Sequence, residues 1–156
     1  MIAPTRLVAL CAITFVGAVP CQVNWGLAQP ANAPPPFGGS CWDRQREVLV
    51  AFGGEVAGIP VHTMREWDGT SWTDRTPSPR PTPRSRPAFA YDEARGEALL
   101  FGGVPTPTPE TWTWDGSAWT QRPPTNQPSV RFGAAAAYDP LRQVVVLFGG
   151  FVPSGL

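Results

Sequence analysis

The sequence predicts an all-β fold built from repeated units, because of its composition and because three segments are alike. Gly 16 and Pro 20 make up just under a quarter of the 156 residues. Pro excludes long helices, since it removes a backbone donor and clashes with the preceding turn. Seven Trp and eight Phe supply the aromatic mass that disordered chains lack. The composition therefore indicates folded β structure with many turns.

The charges of the chain balance, which bears on the class of partner. The 12 basic residues, all of them Arg, equal the 12 acidic residues in number. A nucleic-acid partner needs a basic surface that displaces counterions from phosphates. We therefore expect no nucleic-acid partner.

An internal repeat carries most of the prediction. Three segments share an aromatic–Asp pair (Cys-Trp-Asp in the first), an Arg three residues after the Asp, an apolar run and a Gly-Gly doublet: Cys41–Gly54, Ala90–Gly103 and Ala137–Gly150. Their Asp residues are separated by 49 and then by 47 residues. Two further elements recur in phase: Arg65–Thr73 with Trp112–Thr120, and Arg84–Asp92 with Arg131–Asp139. Agreement of three elements at one period indicates a structural repeat.

Each repeated segment predicts two strands joined by a short turn. Val144–Phe148 is a continuous apolar run, which suits a strand covered on both faces. An Asp that opens a turn accepts backbone N–H groups two residues on. The Arg three residues later is placed to meet the carboxylate, at Arg46, Arg95 and Arg142. We interpret the pair as a lock on the turn, since a catalytic pair would not be needed three times.

The Trp-Asp-Gly element predicts a hairpin. Asp-Gly tolerates the positive φ angles of a two-residue turn, so Asp115-Gly116 is the expected turn. Trp114 would then face Ser117, and Trp112 would face Trp119. All three Trp would lie on one face, because strand side chains alternate.

In the other copy of the hairpin, Arg65 replaces the first Trp and is expected to stack over Trp72 as a cation–π pair. Clustered Trp can also form a platform for sugars. Repetition in phase with the strands favours packing between neighbouring units instead.

The first thirty residues have the pattern of a targeting segment. Met1–Arg6 carries one positive charge, and Leu7–Val19 is an apolar or small-residue run of 13, shorter than the roughly 20 residues of a membrane-spanning helix. The pattern predicts a signal peptide cleaved after Ala28, with Ala33 as a second site. A lipoprotein signal at Cys21 is the rival. We expect a secreted, periplasmic or extracellular protein with no stable membrane span.

Cleavage would leave one Cys in the mature chain. Cys11 and Cys21 would leave with the signal peptide, so no internal disulfide is expected. We interpret the remaining Cys41 as a small hydrophobic core residue in a strand.

The repeat resembles the kelch repeat, whose period is about 50 residues. Both have an apolar strand, a Gly-Gly doublet, a variable loop, an aromatic strand and a further Trp. The similarity is greatest to kelch repeats of the galactose-oxidase central-domain type, found in secreted bacterial proteins. It rests on the doublets and Trp pairs Gly53-Gly54, Gly102-Gly103, Gly149-Gly150, Trp67/Trp72 and Trp114/Trp119.

This resemblance implies a kelch-type β-propeller fragment of about two and a half four-stranded antiparallel blades. The expected organisation is a signal peptide (1–28), a Pro/Ala-rich linker (29–36) and a partial propeller (37–156) with blade one at 37–75, blade two at 84–122 and a half blade at 131–150. The first repeat lacks the Arg that leads the other two. Propellers close with four to eight blades, so we expect either a fragment or copies that associate through the exposed sheet edge.

Kelch propellers include enzymes, but the residues of a catalytic site are missing from this chain. A copper-radical site of the galactose-oxidase type would need several His, Tyr and a crosslinked Cys. His62 is the only His, and Tyr91 and Tyr138 are both the structural aromatic of the repeat. The sequence also lacks a phosphate-binding Gly-rich loop, a nucleophile elbow and a metal-ligand cluster. We expect no catalytic residue, no metal and no cofactor.

A basic, Pro-rich segment runs from Arg75 to Pro87 and should be extended and stiff. It is interpreted as a connector between blades, with an anion-binding strip formed by Arg80, Arg84 and Arg86 as the alternative. Together with His62 these three Arg are the candidate ligand-binding residues.

The distribution of variation predicts where a ligand would bind. Successive connections within a blade alternate between its two ends. One end collects short, near-identical turns, whereas the other collects loops that differ in length, charge and Pro content: Glu55–His62, Val104–Glu110, Asp74–Arg84 and Gln121–Arg131. Because binding residues usually lie on variable loops, a protein or glycan ligand is expected there, with His62 and Arg80 as polar contributors. Drift of unconstrained loops would give the same pattern.

The functional hypothesis is therefore an exported binding scaffold without a catalytic site. The alternatives are a fragment of a larger carbohydrate-active or oxidase-like kelch enzyme, whose active residues lie outside this chain, and a truncated product without function.

Overall fold

A computed structural model describes residues 8–11, 25–28, 31–106, 109–123 and 125–152. All regular structure in these ranges is β strand, in the chain order β1 Val8–Cys11, β2 Trp25–Ala28, β3 Gly39–Asp43, β4 Val48–Phe52, β5 Glu55–Val56, β6 Ile59–Pro60, β7 Met64–Trp67, β8 Trp72–Asp74, β9 Ala88–Asp92, β10 Glu97–Phe101, β11 Thr111–Trp114, β12 Trp119–Gln121, β13 Ala135–Asp139 and β14 Val144–Phe148.

The strands form two complete four-stranded antiparallel sheets and the first half of a third. Blade one has the order β3-β4-β7-β8, blade two has the order β9-β10-β11-β12, and the half blade is the pair β13-β14. The first strands lie side by side, because β9 contacts both β3 and β13. This is an unclosed, partial β-propeller arrangement, which confirms the predicted all-β fold class.

The Asp turn predicted for each repeat is present three times. Asp43 Oδ1 accepts the N–H groups of Gln45 and Arg46, and its Oδ2 accepts Arg46 Nε at 2.7 Å. The backbone bonds recur in the other two repeats, where the Nη1 groups of Arg95 and Arg142 donate to the Oδ2 of their Asp at 2.7 Å. Burial alone would raise the pKa of Asp43, but the hydrogen bonds from Arg46 outweigh it and hold the pKa below its usual value. The interpretation as a turn lock is confirmed.

The predicted register of the Trp hairpin is wrong, because the centre of its turn lies one residue further along the chain and each cross-strand partner lies two residues further. Trp114 lies opposite Trp119, not opposite Ser117, and Trp112 lies opposite Gln121. The cause is the Asp side chain, which accepts the N–H groups of residues 117 and 118 and therefore precedes the turn. Gly116, with φ of 98°, takes the first turn position.

All three Trp nevertheless pack against one core, as predicted. The Trp114 and Trp119 rings lie 5.5 Å apart, and Trp112 is packed against the same cluster. A one-residue shift of the turn centre keeps the alternation of faces, so the shared face survives the error in register.

The predicted stacking of Arg65 on Trp72 is also wrong. Arg65 lies opposite Asp74, because Trp67 takes the place opposite Trp72. The guanidinium instead donates to the backbone carbonyls of Asn32 and Ala33. This Arg thereby attaches the linker to the face of blade one that points away from blade two.

The main core lies between blades one and two. Trp119 of blade two is inserted between Phe52 of blade one, at 5.1 Å between ring centroids, and Phe89, at 6.1 Å. The other buried members are Cys41, Val50, Met64, Tyr91, Ala98, Leu100 and Trp114. The burial of Cys41, which raises the pKa of its thiol, confirms its predicted place in the core.

Part of the predicted signal peptide is described as strand. β1 pairs with β2, with Val8 opposite Ala28, while residues 12–24 lie outside the described ranges. This pairing does not test export, so the signal peptide and its cleavage remain predictions. The described ranges contain no helix that is long and apolar enough to cross a membrane.

Candidate binding face

The antiparallel order of the blades separates short turns from long connections. The turns that follow β3, β7, β9, β11 and β13 lie at one end of the sheets, here called the constant end. The connections that follow β4, β8, β10 and β12 lie at the other, here called the variable end. This is the division expected from the sequence.

The variable end has a fixed backbone beneath its loops. The carbonyl oxygen of Arg84 accepts the N–H of Gly54 at 3.0 Å, and that of Arg131 accepts the N–H of Gly103 at 3.0 Å. The first Gly of the first two doublets must be Gly, because a Cβ on Gly53 would collide with the Arg84 carbonyl oxygen and a Cβ on Gly102 with that of Arg131. Each leading Arg thus joins its repeat to the preceding blade.

Arg84 belongs to this framework rather than to an exposed site. Its side chain has no exposed surface. Its Nη1 donates to the Gly102 carbonyl at 3.1 Å, and its Nη2 donates to Thr82 and, at 2.5 Å, to Glu110. Burial lowers the pKa of Arg84, while Glu110 opposes that shift. The guanidinium is occupied by the chain itself, so we leave Arg84 out of the binding face.

His62 and Arg80 are brought together in one groove. The groove has a volume of about 460 Å³ and is lined by His62 and the Pro-rich stretch Ser78–Pro83. Both side chains are partly exposed. Arg80 Nη1 donates to the Pro77 carbonyl at 3.0 Å, which positions the guanidinium along the segment.

Arg86 lies apart from that groove, next to the first strands of the repeats. Its guanidinium carbon is 5.1 Å from the centroid of the Phe37 ring, a cation–π contact. The Arg86 N–H donates to the Phe37 carbonyl at 2.6 Å, and the Gly133 N–H donates to the Arg86 carbonyl at 2.9 Å. These three residues have φ of 64°, 54° and 66° and precede β3, β9 and β13. One main-chain turn therefore recurs in all three repeats at the variable end.

A small hairpin was missed by the sequence reasoning. β5 and β6 project from blade one, and Val56 and Ile59 at their tip are 55% and 67% exposed. Their turn is Ala57-Gly58, with φ of 52° and 77°. The signal that could have found it is the pair Ala-Gly between two β-branched residues. Glu55 Oε1 accepts a hydrogen bond from Ser85 at 2.6 Å, which attaches the hairpin base to the following repeat.

The variable end therefore presents three kinds of side chain. It has a cationic groove, an aromatic–cation pair and an apolar hairpin tip, each on an anchored backbone. In the described ranges, no three His, Cys, Asp or Glu residues lie close enough together to hold a metal ion. No protein-family model matches the chain, and no curated protein is significantly similar to it.

Proposed function

We propose that this chain is an exported kelch-repeat protein that acts as a binding scaffold, with the variable end as its contact surface for a protein or a glycan. One observation carries the proposal. Exposed residues from three separate segments lie at the end of the sheets where the repeats differ, while the backbone under them is held by repeated hydrogen bonds.

The chemistry of this surface favours a partner that has acidic or hydroxyl groups beside an apolar area. Arg80 and Arg86 can donate to carboxylate or hydroxyl oxygens. Phe37, which is 54% exposed, and Ile59 offer apolar surface. A rigid base lowers the entropy lost on binding, because only the loop side chains need to be ordered.

Point variants test this proposal better than loop replacement, because Arg75 and Arg84 both have structural bonds. The triple variant Ile59→Ser, His62→Ala, Arg80→Ala should lose binding in a screen of immobilised glycans and extracellular proteins. The matched control carries Arg44→Ala and Leu141→Ser at the constant end, where both residues are exposed. The proposed face would be wrong if the control lost binding and the triple variant kept it.

Export has its own test, independent of any ligand. Mass spectrometry of the exported protein should find its N-terminus between Gln29 and Pro34. An intact Met1 in that material, or a lipid on Cys21, would contradict the proposed signal peptide.

The proposal also predicts that the protein associates with itself. Val144, Val146 and Phe148 of β14 are 44%, 50% and 79% exposed. One edge of β14 has no partner among the described strands, and such an edge attracts other strands. We expect light scattering to show oligomers whose size grows with protein concentration. A stable monomer at high concentration would contradict this proposal.

A further inference from the structure

A groove separates the outer strands of blade two from the half blade. Its apolar part has a volume of about 220 Å³ and is lined by Leu99, Phe101 and Thr111 of blade two and by Ala136, Val145 and Leu147 of the half blade, together with Ala88 and Pro128. It continues into a wider part of about 770 Å³ beside Thr113 and Arg122. The inner part of the same boundary is closed, because β9 contacts β13 and β14 directly.

The internal repeat identifies what fills the equivalent space one blade earlier. There Trp119 lies between Phe52 and Phe89. The counterparts of Phe52 and Phe89 in the next repeat are Phe101 and Ala136, and both line the groove. The space between them is therefore the counterpart of the site that holds Trp119.

The remaining walls correspond in the same way. Val50, Met64, Ala98 and Leu100 belong to the core around the Trp pair between blades one and two. Their counterparts in the groove are Leu99, Thr111, Val145 and Leu147. The groove thus reproduces the first interface without its three Trp side chains.

The main chain of β14, which borders the groove, also has an open edge among the described strands. In blade two, β10 pairs on one side with β9 and on the other with β11. Its counterpart β14 pairs only with β13 among the described strands. An added strand in the register of β11 would lie along β14 and would place one Trp opposite Val145 and another opposite Leu147, as Trp114 and Trp112 lie opposite Ala98 and Leu100.

We propose that this groove binds a Trp-Asp-Gly β-hairpin other than the two that the structure describes, with its first strand paired to β14. The Trp on its second strand, the counterpart of Trp119, would lie between Phe101 and Ala136. Addition of a strand to a sheet edge is an established mode of peptide recognition. A second copy of this chain is a poorer occupant, because its own Trp hairpins are already paired with β4 and β10. The bound hairpin would extend outward the contact that β9 already makes with β13.

A peptide that copies residues 109–122 of this chain tests the proposal against the full protein. Because an isolated two-stranded hairpin is marginally stable in water, the peptide is cyclised through added terminal Cys residues. It carries a fluorophore and is titrated with protein by fluorescence anisotropy. The control peptide has both Trp114→Ala and Trp119→Ala. We expect saturable binding of the first peptide and binding at least tenfold weaker for the control.

Protein variants locate the binding. Val145→Arg places a charge directly under the incoming strand and should weaken binding at least tenfold, whereas Leu141→Arg, at a turn position that is 91% exposed, should leave it unchanged. Ala136→Phe restores the ring that Phe89 supplies one repeat earlier and should tighten binding severalfold. This gain cannot result from a variant that fails to fold.

Three results would overturn the proposal. They are equal affinity of the two peptides, equal affinity of Val145→Arg and wild type, and oligomers that persist at saturating peptide. The last result would show that a second copy occupies the edge of β14. Dissociation of oligomers by the peptide, with the affinity order stated above, would support the hairpin as the occupant.

Discussion

Blade two and the half blade begin with the same repeat sequence, but their surroundings differ. All five residues of β9 are buried between β3 and β13, whereas none of the five residues of β13 is fully buried. In the second strands, Leu100 has no exposed surface, while its counterpart Leu147 remains partly exposed. The local conformation is the same in both, so the difference lies in what the neighbours cover.

The leading Arg residues show this most directly. Arg84 and Arg131 each donate Nη1 to the first Gly carbonyl of their own repeat, at 3.1 Å and 3.0 Å, and Nη2 to the hydroxyl two residues earlier. Arg84 is fully buried and paired with Glu110. Arg131 is partly exposed, and the described residues give it no carboxylate partner. The same hydrogen bonds therefore occur with very different solvent exposure.

The largest expected difference follows from these two Arg. Arg84→Met removes the cation that pairs with Glu110 and the donor to the Gly102 carbonyl, and leaves Glu110 with the Trp112 Nε1 donor alone among its described side-chain bonds. This change should lower the free energy of unfolding by about 3–5 kcal/mol. Arg131→Met removes partly exposed bonds and should cost about 1 kcal/mol or less. Urea unfolding followed by Trp fluorescence at one protein concentration measures both.

A second variant separates loss of packing from loss of charge pairing at this Arg. Glu110→Gln in the Arg84→Met background removes the unpaired charge and should restore part of the stability. Equal losses in Arg84→Met and Arg131→Met would mean that burial does not distinguish the two repeats.

The first Gly of each doublet gives the next largest difference. Gly102 and Gly149 have φ of 65° and 70°, so Ala at either position carries about 1–2 kcal/mol of left-handed strain. A Cβ at Gly102 would also collide with the Arg131 carbonyl oxygen, whereas a Cβ at Gly149 would meet nothing within 4 Å. We expect Gly102→Ala to lower the melting temperature at least twice as much as Gly149→Ala, by calorimetry. Similar shifts would show that the collision is relieved at little cost.

The smallest effect concerns the Asp turns and their dependence on pH. The pKa of Asp43 lies below its usual 3.8 because the bonds from Arg46 outweigh burial, and the pKa of Asp139 is lowered mainly by the Arg142 side chain. A lowered folded-state pKa stabilises the protein above the unfolded value near 3.8, and this contribution is lost as the pH falls through the folded value. Stability should therefore fall as the pH drops below about 4.

The variants Asp43→Asn and Asp139→Asn assign that loss. The Asp43 and Arg46 side chains are 4% and 30% exposed, and Arg46 also pairs with Glu66. The corresponding Asp139 and Arg142 side chains are 22% and 75% exposed. Asp43→Asn should therefore flatten the stability profile between pH 5 and pH 2 more than Asp139→Asn does. Urea midpoints measured across that range provide the comparison, and an equal flattening would contradict the ranking.

The sequence predicted the elements that repeat and missed those that occur once. The Asp–Arg turns, the strand pairs and the shared face of the Trp residues each recur in phase, so one interpretation was supported by two or three copies. The β5–β6 hairpin and the contact between Arg65 and the linker occur once and were not predicted. In the candidate binding face, the proximity of His62 and Arg80 followed from loop order, whereas the exposure of Phe37 and Ile59 did not.

The register of the Trp hairpin shows why local sequence was insufficient. Asp115 could either enter the turn or precede it, and the two placements shift the centre of the turn by one residue. Its carboxylate accepts two N–H groups only when it precedes the turn, and Trp114 and Trp119 then meet across the strands. Hydrogen bonding of one side chain decided the register.

By itself, the sequence determined the period of the fold, the order of strands within a blade and the two ends to which its connections go. These properties depend on local conformation and alternation, which each repeat encodes separately. Only the tertiary structure decided that Arg84 is buried while Arg131 is partly exposed, and that a groove lies between Phe101 and Ala136. Burial depends on which surface lies opposite a residue. That surface belongs to a neighbouring repeat, so the sequence of one repeat does not determine it.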